Sequence, residues 1–244
     1  MISLRLVYMK GVILAGGTGS RLLPLTCVTN KHLLPVGDKP MIMHAVHKFI
    51  DASITDIMVI TGTEHAGDVF NLLGSGKRYD CEFTYKVQDE ALGIAHAISL
   101  AHEFIADEQY AVVLGDNIFA EDISGYVKEF ENENSDKCML FLKESTQPER
   151  FGVALFDVNG NLVGSVEKPK LPPSNLVLTG LYFYPPNSQS FFLKLKPSKR
   201  GEFEITEVND AMIRAKRASF KILVDDWTDA GTLESYRYAN DMIW

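Results

Sequence analysis

The sequence has few cysteines, and their arrangement limits the kind of protein it can encode. The three cysteines lie far apart, at positions 27, 81 and 138, with no Cys-x-x-Cys pair among them. This argues against a disulfide-stapled secreted scaffold and against a cysteine-rich zinc site. The chain also contains no apolar run of the roughly 20 residues that a membrane-spanning helix needs. We therefore predict a cytoplasmic protein with reduced thiols that does not interact with membranes.

The sequence also has fewer basic than acidic residues. The 244 residues include 24 lysines and arginines against 32 aspartates and glutamates, which gives a formal net charge of −8. This balance argues against a protein dedicated to binding nucleic acid or an anionic membrane surface. An anionic ligand would have to be held by a local group of cations. We expect small-molecule partners, and the sequence leaves open whether the chain forms a homo-oligomer.

Two common phosphate-binding motifs are missing as well. The first apolar run, Lys10–Ala15, leads into a loop that contains three glycines. No Gly-Lys-Ser/Thr follows this loop, and Leu22 stands where the dinucleotide motif G-x-G-x-x-G needs its third glycine. The loop does offer bare backbone N–H groups, with Arg21 and Lys31 close behind in the sequence. This combination favours a polyphosphate ligand over a tight turn that binds nothing.

Strands and helices alternate along the first two thirds of the chain, which is typical of a largely parallel α/β sheet. We predict strands at 10–15, 56–61, 82–87, 110–114, 137–142, 152–157, 162–168, 177–184 and 220–224. We predict helices at 40–52, 64–73, 93–105, 123–133, 186–195, 206–215 and from 232 onward. One domain is expected over residues 9–244, with halves of about 9–135 and 136–244, preceded by an N-terminal extension at 1–8.

Two aspartates follow apolar strands. Asp116 comes directly after one predicted strand, and Asp229 lies shortly after another. In open α/β sheets, ligands bind at the carboxyl ends of the strands. Mg²⁺ prefers a few carboxylates together with phosphate oxygens and water. An aspartate before Asn or Gly is also a common turn residue, but together with the glycine loop we interpret this pair as a Mg²⁺ site.

Eight segments, in order, resemble the motifs of the sugar-1-phosphate nucleotidylyltransferases, and in particular their glucose-1-phosphate thymidylyltransferase branch. The resemblance covers the chain from Lys10 to about Asn240. It is carried by Leu14-Ala-Gly-Gly-Thr-Gly-Ser-Arg21, Asn30-Lys-His-Leu-Leu-Pro-Val36, Leu114-Gly-Asp-Asn117, Glu149-Arg-Phe-Gly-Val153, Val166-Glu-Lys-Pro169, Thr179-Gly-Leu-Tyr-Phe-Tyr184, Arg200-Gly-Glu-Phe-Glu-Ile-Thr206 and Trp227-Thr-Asp-Ala-Gly-Thr232.

The resemblance implies a fold and a reaction. The fold is an α/β, Rossmann-like nucleotidyltransferase fold, whose mixed but mostly parallel central sheet is flanked by helices and carries a β-rich sugar-binding insertion. The reaction joins dTTP and α-D-glucose 1-phosphate to give dTDP-glucose and pyrophosphate, with Mg²⁺ as cofactor, in the supply of nucleotide sugars for polysaccharide. The sugar phosphate attacks the α-phosphorus in line, so the protein mainly positions the reactants and offsets their charge.

The resemblance also implies roles for individual residues. The nucleotide would be bound by Leu14, Ala15, Gly16, Gly17, Thr18, Gly19, Arg21, Gln88 and Gly93. The sugar phosphate would be bound by Asn117, Gly152, Glu167, Lys168, Tyr182 and Arg200. Catalysis would rest on Arg21, Lys31, Asp116 and Lys168, with Asp116 and Asp229 holding Mg²⁺.

Two departures from the family pattern leave alternatives open. Leu92 stands where long-form thymidylyltransferases carry an acidic residue near the base, and the segment also resembles uridylyltransferases. UTP is therefore the first alternative to dTTP. The chain also ends at Trp244, before the helices that carry subunit contacts and a regulatory site in long forms. The resemblance therefore does not extend to feedback control or tetramer formation. Independently of this departure, a regulatory nucleotide-binding protein without catalysis is the second alternative, and the presence of Arg21, Lys31, Asp116, Lys168 and Asp229 argues against it. An NAD-dependent oxidoreductase is disfavoured by the missing third glycine.

Overall fold

A computed structural model describes residues 9–133 and 135–243 of the chain. The expected N-terminal extension at 1–8 lies outside these residues. The strands are β1 (Lys10–Ala15), β2 (Pro35–Val36), β3 (Lys39–Pro40), β4 (Asp56–Gly62), β5 (Glu82–Gln88), β6 (Tyr110–Leu114), β7 (Asn117–Phe119), β8 (Cys138–Glu144), β9 (Gly152–Phe156), β10 (Leu162–Glu167), β11 (Leu176–Tyr184), β12 (Ala218–Ile222) and β13 (Trp227–Asp229). The α-helices are α1 (Met41–Asp51), α2 (Ala66–Leu73), α3 (Ile94–Ser99), α4 (His102–Ile105), α5 (Ser124–Glu133), α6 (Gln189–Phe192), α7 (Ile205–Arg214) and α8 (Leu233–Ile243).

A mixed central sheet organises the molecule. Its first part runs β5-β4-β1-β6 with all pairs parallel, and β11 then continues the sheet antiparallel to β6. Strand β11 also pairs with β8 and β9, which extend the sheet to β12 and β10. The α/β fold class predicted from the sequence is confirmed. The division into halves stays a prediction, because one sheet runs through both.

The central strands are apolar because both of their faces are covered. In β1, Ile13 and Ala15 pack in one buried cluster, whereas Val12 and Leu14 pack in the cluster on the opposite face. A strand buried on both faces shows a continuous apolar run instead of alternation. A third, smaller cluster links Leu22, after the glycine loop, to Ala239 of α8. Within the described residues, no helix is long and apolar enough to cross a membrane.

The structure differs from the predicted elements in several places. Of the helix expected over 186–195, only Gln189–Phe192 is α-helical, and a 3₁₀ turn precedes it. The helix expected over 93–105 is divided into α3 and α4. Strand β12 begins at Ala218, two residues before the predicted start. The short ladder between β7 and β13 was not predicted, because three-residue strands are too short to show periodicity. This missed ladder brings Asp229 opposite Asn117.

We expect Tyr184→Phe to destabilise the fold. The Tyr184 hydroxyl donates to Oδ1 of Asn209 at 2.6 Å, and both side chains are fully buried. Within the described part of the chain, Nδ2 of Asn209 has no partner. The substitution would therefore leave the whole amide unpaired, at a cost of about 1–3 kcal/mol. Equilibrium urea unfolding measures this change.

The matched control for this substitution is Tyr238→Phe on the exposed face of α8, where the side chain is 47% exposed. It should change the free energy of unfolding by less than about 0.5 kcal/mol. Equal effects at the two positions would contradict a stabilising role for the buried bond.

Candidate active site

A cleft of about 400 Å³ opens at the carboxyl ends of β1 and β6. Apart from Ala15 and Gly19, every residue that the sequence predicts for the site lines this cleft. Ala15 is fully buried in the core, and its carbonyl accepts from Asn30 Nδ2 at 3.4 Å. Gly19 has a φ of 67° and turns the loop toward Arg21. The structure thus places neither of these two residues in the cleft.

The glycine loop leaves room for a lysine. A Cβ on Gly17 would lie 2.8 Å from Cε of Lys31, so only glycine lets this side chain pass against the loop backbone. Lys31 itself begins a short 3₁₀ turn that is capped by Asn30, whose Oδ1 accepts from the backbone N–H of His32 at 2.9 Å. The Asn30 amide thereby ties the turn that carries Lys31 to the end of β1.

The buried His32 ring closes the floor of the cleft beside this turn. Its Nδ1 lies 2.7 Å from Oδ1 of Asn30. Burial, reinforced by the charge of Lys31, lowers the pKa of His32 to about 3, so the ring is neutral at neutral pH. Since the oxygen of Asn30 can only accept, Nδ1 carries the proton. His32 contributes no charge to the site.

Asp116 forms an ion pair with Lys31, and both side chains are nearly buried. Burial alone would raise the pKa of Asp116, but the charge of Lys31 holds it well below its usual range. Asn117 Nδ2 donates to the other carboxylate oxygen at 3.0 Å. The Asp116 carboxylate is therefore ionised and fixed in orientation.

Asn117 is itself held by two further elements. Its Oδ1 accepts from Gly180 N–H at 3.0 Å and from Trp227 Nε1 at 2.7 Å. A Cβ on Gly180 would lie 2.6 Å from the Asn117 amide, so the glycine is what permits this approach. The assignment of Asn117 to the sugar stays a prediction, and the structure adds that its amide positions Asp116.

Asp229 enters the site from β13. Its Oδ1 accepts from Arg150 Nη2 at 3.2 Å. Burial and the nearby charge of Asp116 raise the pKa of Asp229 to about 6, although Arg150 and Arg21 oppose this shift. The second aspartate is therefore an acid with an elevated pKa beside an ionised neighbour.

Three charged groups face one point next to Gly231. A Cβ on this glycine would lie 3.2 Å from Nη2 of Arg21, 3.5 Å from Oδ2 of Asp116 and 3.6 Å from Oδ2 of Asp229. Only a residue without a side chain leaves this space open. The space between a guanidinium and two carboxylates can hold a cation together with an anion.

At the opposite end of the cleft, cations surround Glu167. Lys168 Nζ and Arg200 Nη1 lie 3.1 and 3.4 Å from its Oε1, and Thr206 Oγ1 donates to Oε2 at 2.5 Å. Lys168 has a φ of 41°, an unusual conformation for a residue other than glycine. Its backbone N–H donates to Phe151 O at 2.9 Å, which holds the strained position.

Small and apolar groups line the wall behind these cations. A Cβ on Gly152 would lie 2.6 Å from Thr206 Oγ1, so this wall admits only glycine. Tyr182 is 3% exposed, and burial raises the pKa of its hydroxyl far above any physiological pH. At the other end, the amide of Gln88 donates to Gly93 O at 3.2 Å.

Several cleft residues were missed by the sequence reasoning. Arg150, Glu204, Thr206 and Trp227 line the cleft, although no role had been assigned to them. The signal was present, because all four lie inside the motifs that carried the family resemblance. Their contacts with the predicted residues depend on the missed β7–β13 ladder and on loop geometry. Neither can be predicted from hydrophobic periodicity.

The mixture of cations and carboxylates in the cleft suits an anionic ligand that binds together with a metal cation. Arg21, Lys31, Arg150, Lys168 and Arg200 line one cleft together with Asp116 and Asp229. The positive groups can offset phosphates, and the carboxylates can hold a metal ion between them.

Comparisons with known proteins agree with this geometry. The family model described as nucleotidyl transferase matches residues 10–243. The low-salt glycan biosynthesis nucleotidyltransferase Agl11 of Haloferax volcanii is 40% identical, over 96% of this chain and 66% of its own length. A glucose-1-phosphate thymidylyltransferase of Neisseria meningitidis is 39% identical, over 96% of this chain and 82% of its own.

Solved structures show the same likeness. A Bacillus anthracis protein assigned as a glucose-1-phosphate thymidylyltransferase, solved with sucrose, has a TM-score of 0.91 and 49% identity and covers 96% of this chain and 94% of its own. A UDP-glucose pyrophosphorylase with UDP-glucose has a TM-score of 0.84 and 25% identity and covers 97% and 98%. The resemblance stated from the sequence motifs is thereby confirmed, and the chain belongs to the nucleotidyl transferase family.

Proposed function

We propose that the protein transfers a thymidylyl group from dTTP to α-D-glucose 1-phosphate, giving dTDP-glucose and pyrophosphate for nucleotide-sugar supply. The observation that carries the proposal is the convergence of Arg21, Asp116 and Asp229 on the open space at Gly231, in the cleft that also contains the glycine loop. The relatives named as glucose-1-phosphate thymidylyltransferases support the choice of substrates.

Charge offset is the main task of the side chains in this reaction. The oxygen of the sugar phosphate attacks the α-phosphorus, and pyrophosphate leaves as the bond to the β-phosphate oxygen breaks. Both reactants are anions, so their approach must be stabilised by cations. Lys31 would offset the reacting phosphates, Arg21 the departing pyrophosphate, and Lys168 with Arg200 the sugar phosphate.

The donor set of the site fits Mg²⁺. Among the described residues, no group of three or more His, Cys, Asp and Glu side chains could hold a metal ion. Two carboxylates, Asp116 and Asp229, face the same open space, and Mg²⁺ commonly takes one or two carboxylates and completes its shell with phosphate oxygens and water. We propose that these two residues hold the ion, which would neutralise phosphate charge when bound.

UTP is the second candidate nucleotide. The likeness to a UDP-glucose pyrophosphorylase and the apolar Leu92 at the predicted base subsite both favour it. The two nucleotides differ at the C5 methyl group and the 2′-hydroxyl.

The proposed reaction is tested by pairing dTTP or UTP with glucose 1-phosphate or galactose 1-phosphate, with Mg²⁺ or with EDTA. We expect the fastest pyrophosphate release from dTTP with glucose 1-phosphate, and none with EDTA, because the anions then lack their counter-ion. Faster release from UTP would reject the choice of base. No release from any pair by the folded protein would favour a regulatory role.

Asp229→Asn should abolish turnover and stabilise the fold. Since the pKa of Asp229 is raised to about 6, the charged carboxylate disfavours the folded state above that pH. The stability that its protonated form contributes is lost as the pH rises through about 6. Removing the charge should therefore raise the free energy of unfolding at pH 7.5 by about 1–2 kcal/mol, with a smaller gain at pH 5.

The control for this prediction is Asp241→Asn, an exposed aspartate on α8. It should leave both the turnover and the pH dependence of unfolding unchanged. Urea unfolding at the two pH values, with pyrophosphate release at pH 7.5, measures both effects. A loss of stability in Asp229→Asn at pH 7.5 would contradict the electrostatic interpretation.

Lys168→Gln should raise the KM for glucose 1-phosphate more than the KM for the nucleotide. The change removes a charge that would contact the sugar phosphate and keeps most of the side-chain length, so a charge-assisted bond worth about ten- to hundredfold is lost. Lys170→Gln, in the same loop and exposed, is the matched control. Initial rates with each substrate varied in turn measure both constants, and the reverse pattern would refute the assignment.

A further inference from the structure

The amide of Gln88 is fixed by two neighbours. This side chain lies at the end of β5 and is 7% exposed. Its Nε2 lies 3.2 Å from Gly93 O and 2.9 Å from His96 Nδ1. A carbonyl oxygen can only accept, so the atom that faces Gly93 must be the NH₂ group. Both amide protons are thereby used, and His96 Nδ1 must be the acceptor of one of them.

This arrangement directs the carbonyl oxygen of Gln88 toward the glycine loop. A Cβ on Gly16 would lie 3.4 Å from Oε1, and Gln88 lines the cleft. Within the described residues, no hydrogen bond to Oε1 is found, and the atom is not sealed from the cleft. The site therefore offers a ligand one fixed acceptor at this point, and not a donor.

A fixed acceptor that faces N3 of the base separates the pyrimidine bases. Thymine and uracil both carry an N3–H donor, whereas N3 of cytosine is itself an acceptor. An amide that was free to rotate could serve either base by exchanging its two ends. Each neighbour that opposes this rotation, Gly93 O and His96 Nδ1, therefore contributes to the choice of base.

We propose that His96 is a positioning residue that locks the Gln88 amide with Oε1 toward the nucleobase, so that thymine and uracil nucleotides are favoured over cytosine nucleotides. The inference rests on the proposed function in placing the nucleobase at Gln88. It adds a residue that does not line the cleft and acts only through another side chain.

The backbone around His96 is held rigidly enough for this task. His96 lies in the first turn of α3, which begins after Gly93. Gly93 has a φ of 101°, and a Cβ on it would lie 2.7 Å from Phe203 O. The backbone of Phe203 bridges the start of the helix, since its N–H donates to Leu92 O at 2.7 Å and its carbonyl accepts from Ala95 at 3.1 Å.

The imidazole ring also has a neighbour that limits its motion. The ring centroids of His96 and Phe203 lie 6.0 Å apart, with an interplanar angle of 31°. The ring is therefore packed on one side and bonded to Gln88 on the other. Without His96 Nδ1, only the 3.2 Å bond to Gly93 would bias the amide, and the opposite orientation would become accessible.

The test measures equilibrium binding of dTTP and dCTP in the absence of sugar phosphate, with turnover measured separately. In the wild type, dTTP should bind more tightly than dCTP. His96→Leu removes the acceptor and keeps the bulk of the side chain, and it should lower the dTTP-over-dCTP preference about five- to tenfold, the worth of one neutral hydrogen bond. His96→Asn keeps an acceptor where Nδ1 lies, and it should retain the preference.

His102→Leu, a histidine substitution at an exposed position of α4, is the matched control and should change neither affinity. Equal loss of dTTP and dCTP affinity in His96→Leu, or the same loss in His96→Asn, would indicate a structural role and overturn the inference. So would a wild type that binds the two nucleotides equally. A wild type that prefers dTTP in binding but releases no pyrophosphate would reject the proposed reaction and leave the role of His96 supported.

Discussion

The repulsion between Asp116 and Asp229 is the constraint around which the site is built. The fold brings these two partly buried carboxylates to the same open space, where neither can be ionised without cost to the other. The two carboxyl groups respond differently. The ion pair with Lys31 lowers the pKa of Asp116, whereas the 3.2 Å contact with Arg150 does not prevent a raised pKa at Asp229. One carboxyl is therefore strongly acidic and the other is not. A site of this kind is stabilised by whatever positive charge is added to it.

The two aspartates meet because a single amide joins three elements. Asn117 follows Asp116 in the sequence and stands opposite Asp229 in the β7–β13 ladder. Its oxygen accepts from the backbone of β11 and from Trp227, and its NH₂ group donates to Asp116. Both acceptor positions of the Asn117 amide oxygen are therefore occupied within the protein. The packing of β11 therefore helps to orient the Asp116 carboxylate through this amide.

The sequence predicted the elements more completely than the contacts between them. The buried strands were recognisable because long apolar runs such as Lys10–Ala15 admit few other interpretations. The division between α3 and α4 and the three-residue strands β7 and β13 left no periodic signal, so the bonds of Asn117 and Arg150 could not be foreseen. The motif also could not predict that Ala15 lies in the core, because a motif specifies residue types and not the directions of their side chains.

The cations of the cleft are largely balanced by carboxylates before any substrate arrives. Lys168 and Arg200 share Glu167, Arg150 pairs with Asp229, and Lys31 pairs with Asp116. In a chain of net charge −8, this balance keeps the folded protein free of a concentrated positive patch. Under the proposed function, phosphates would compete with these carboxylates for the cations, and Asp116 and Asp229 would hold Mg²⁺. A nucleotide that brings its own metal would then be favoured over a bare polyanion, because the metal offsets part of the added negative charge.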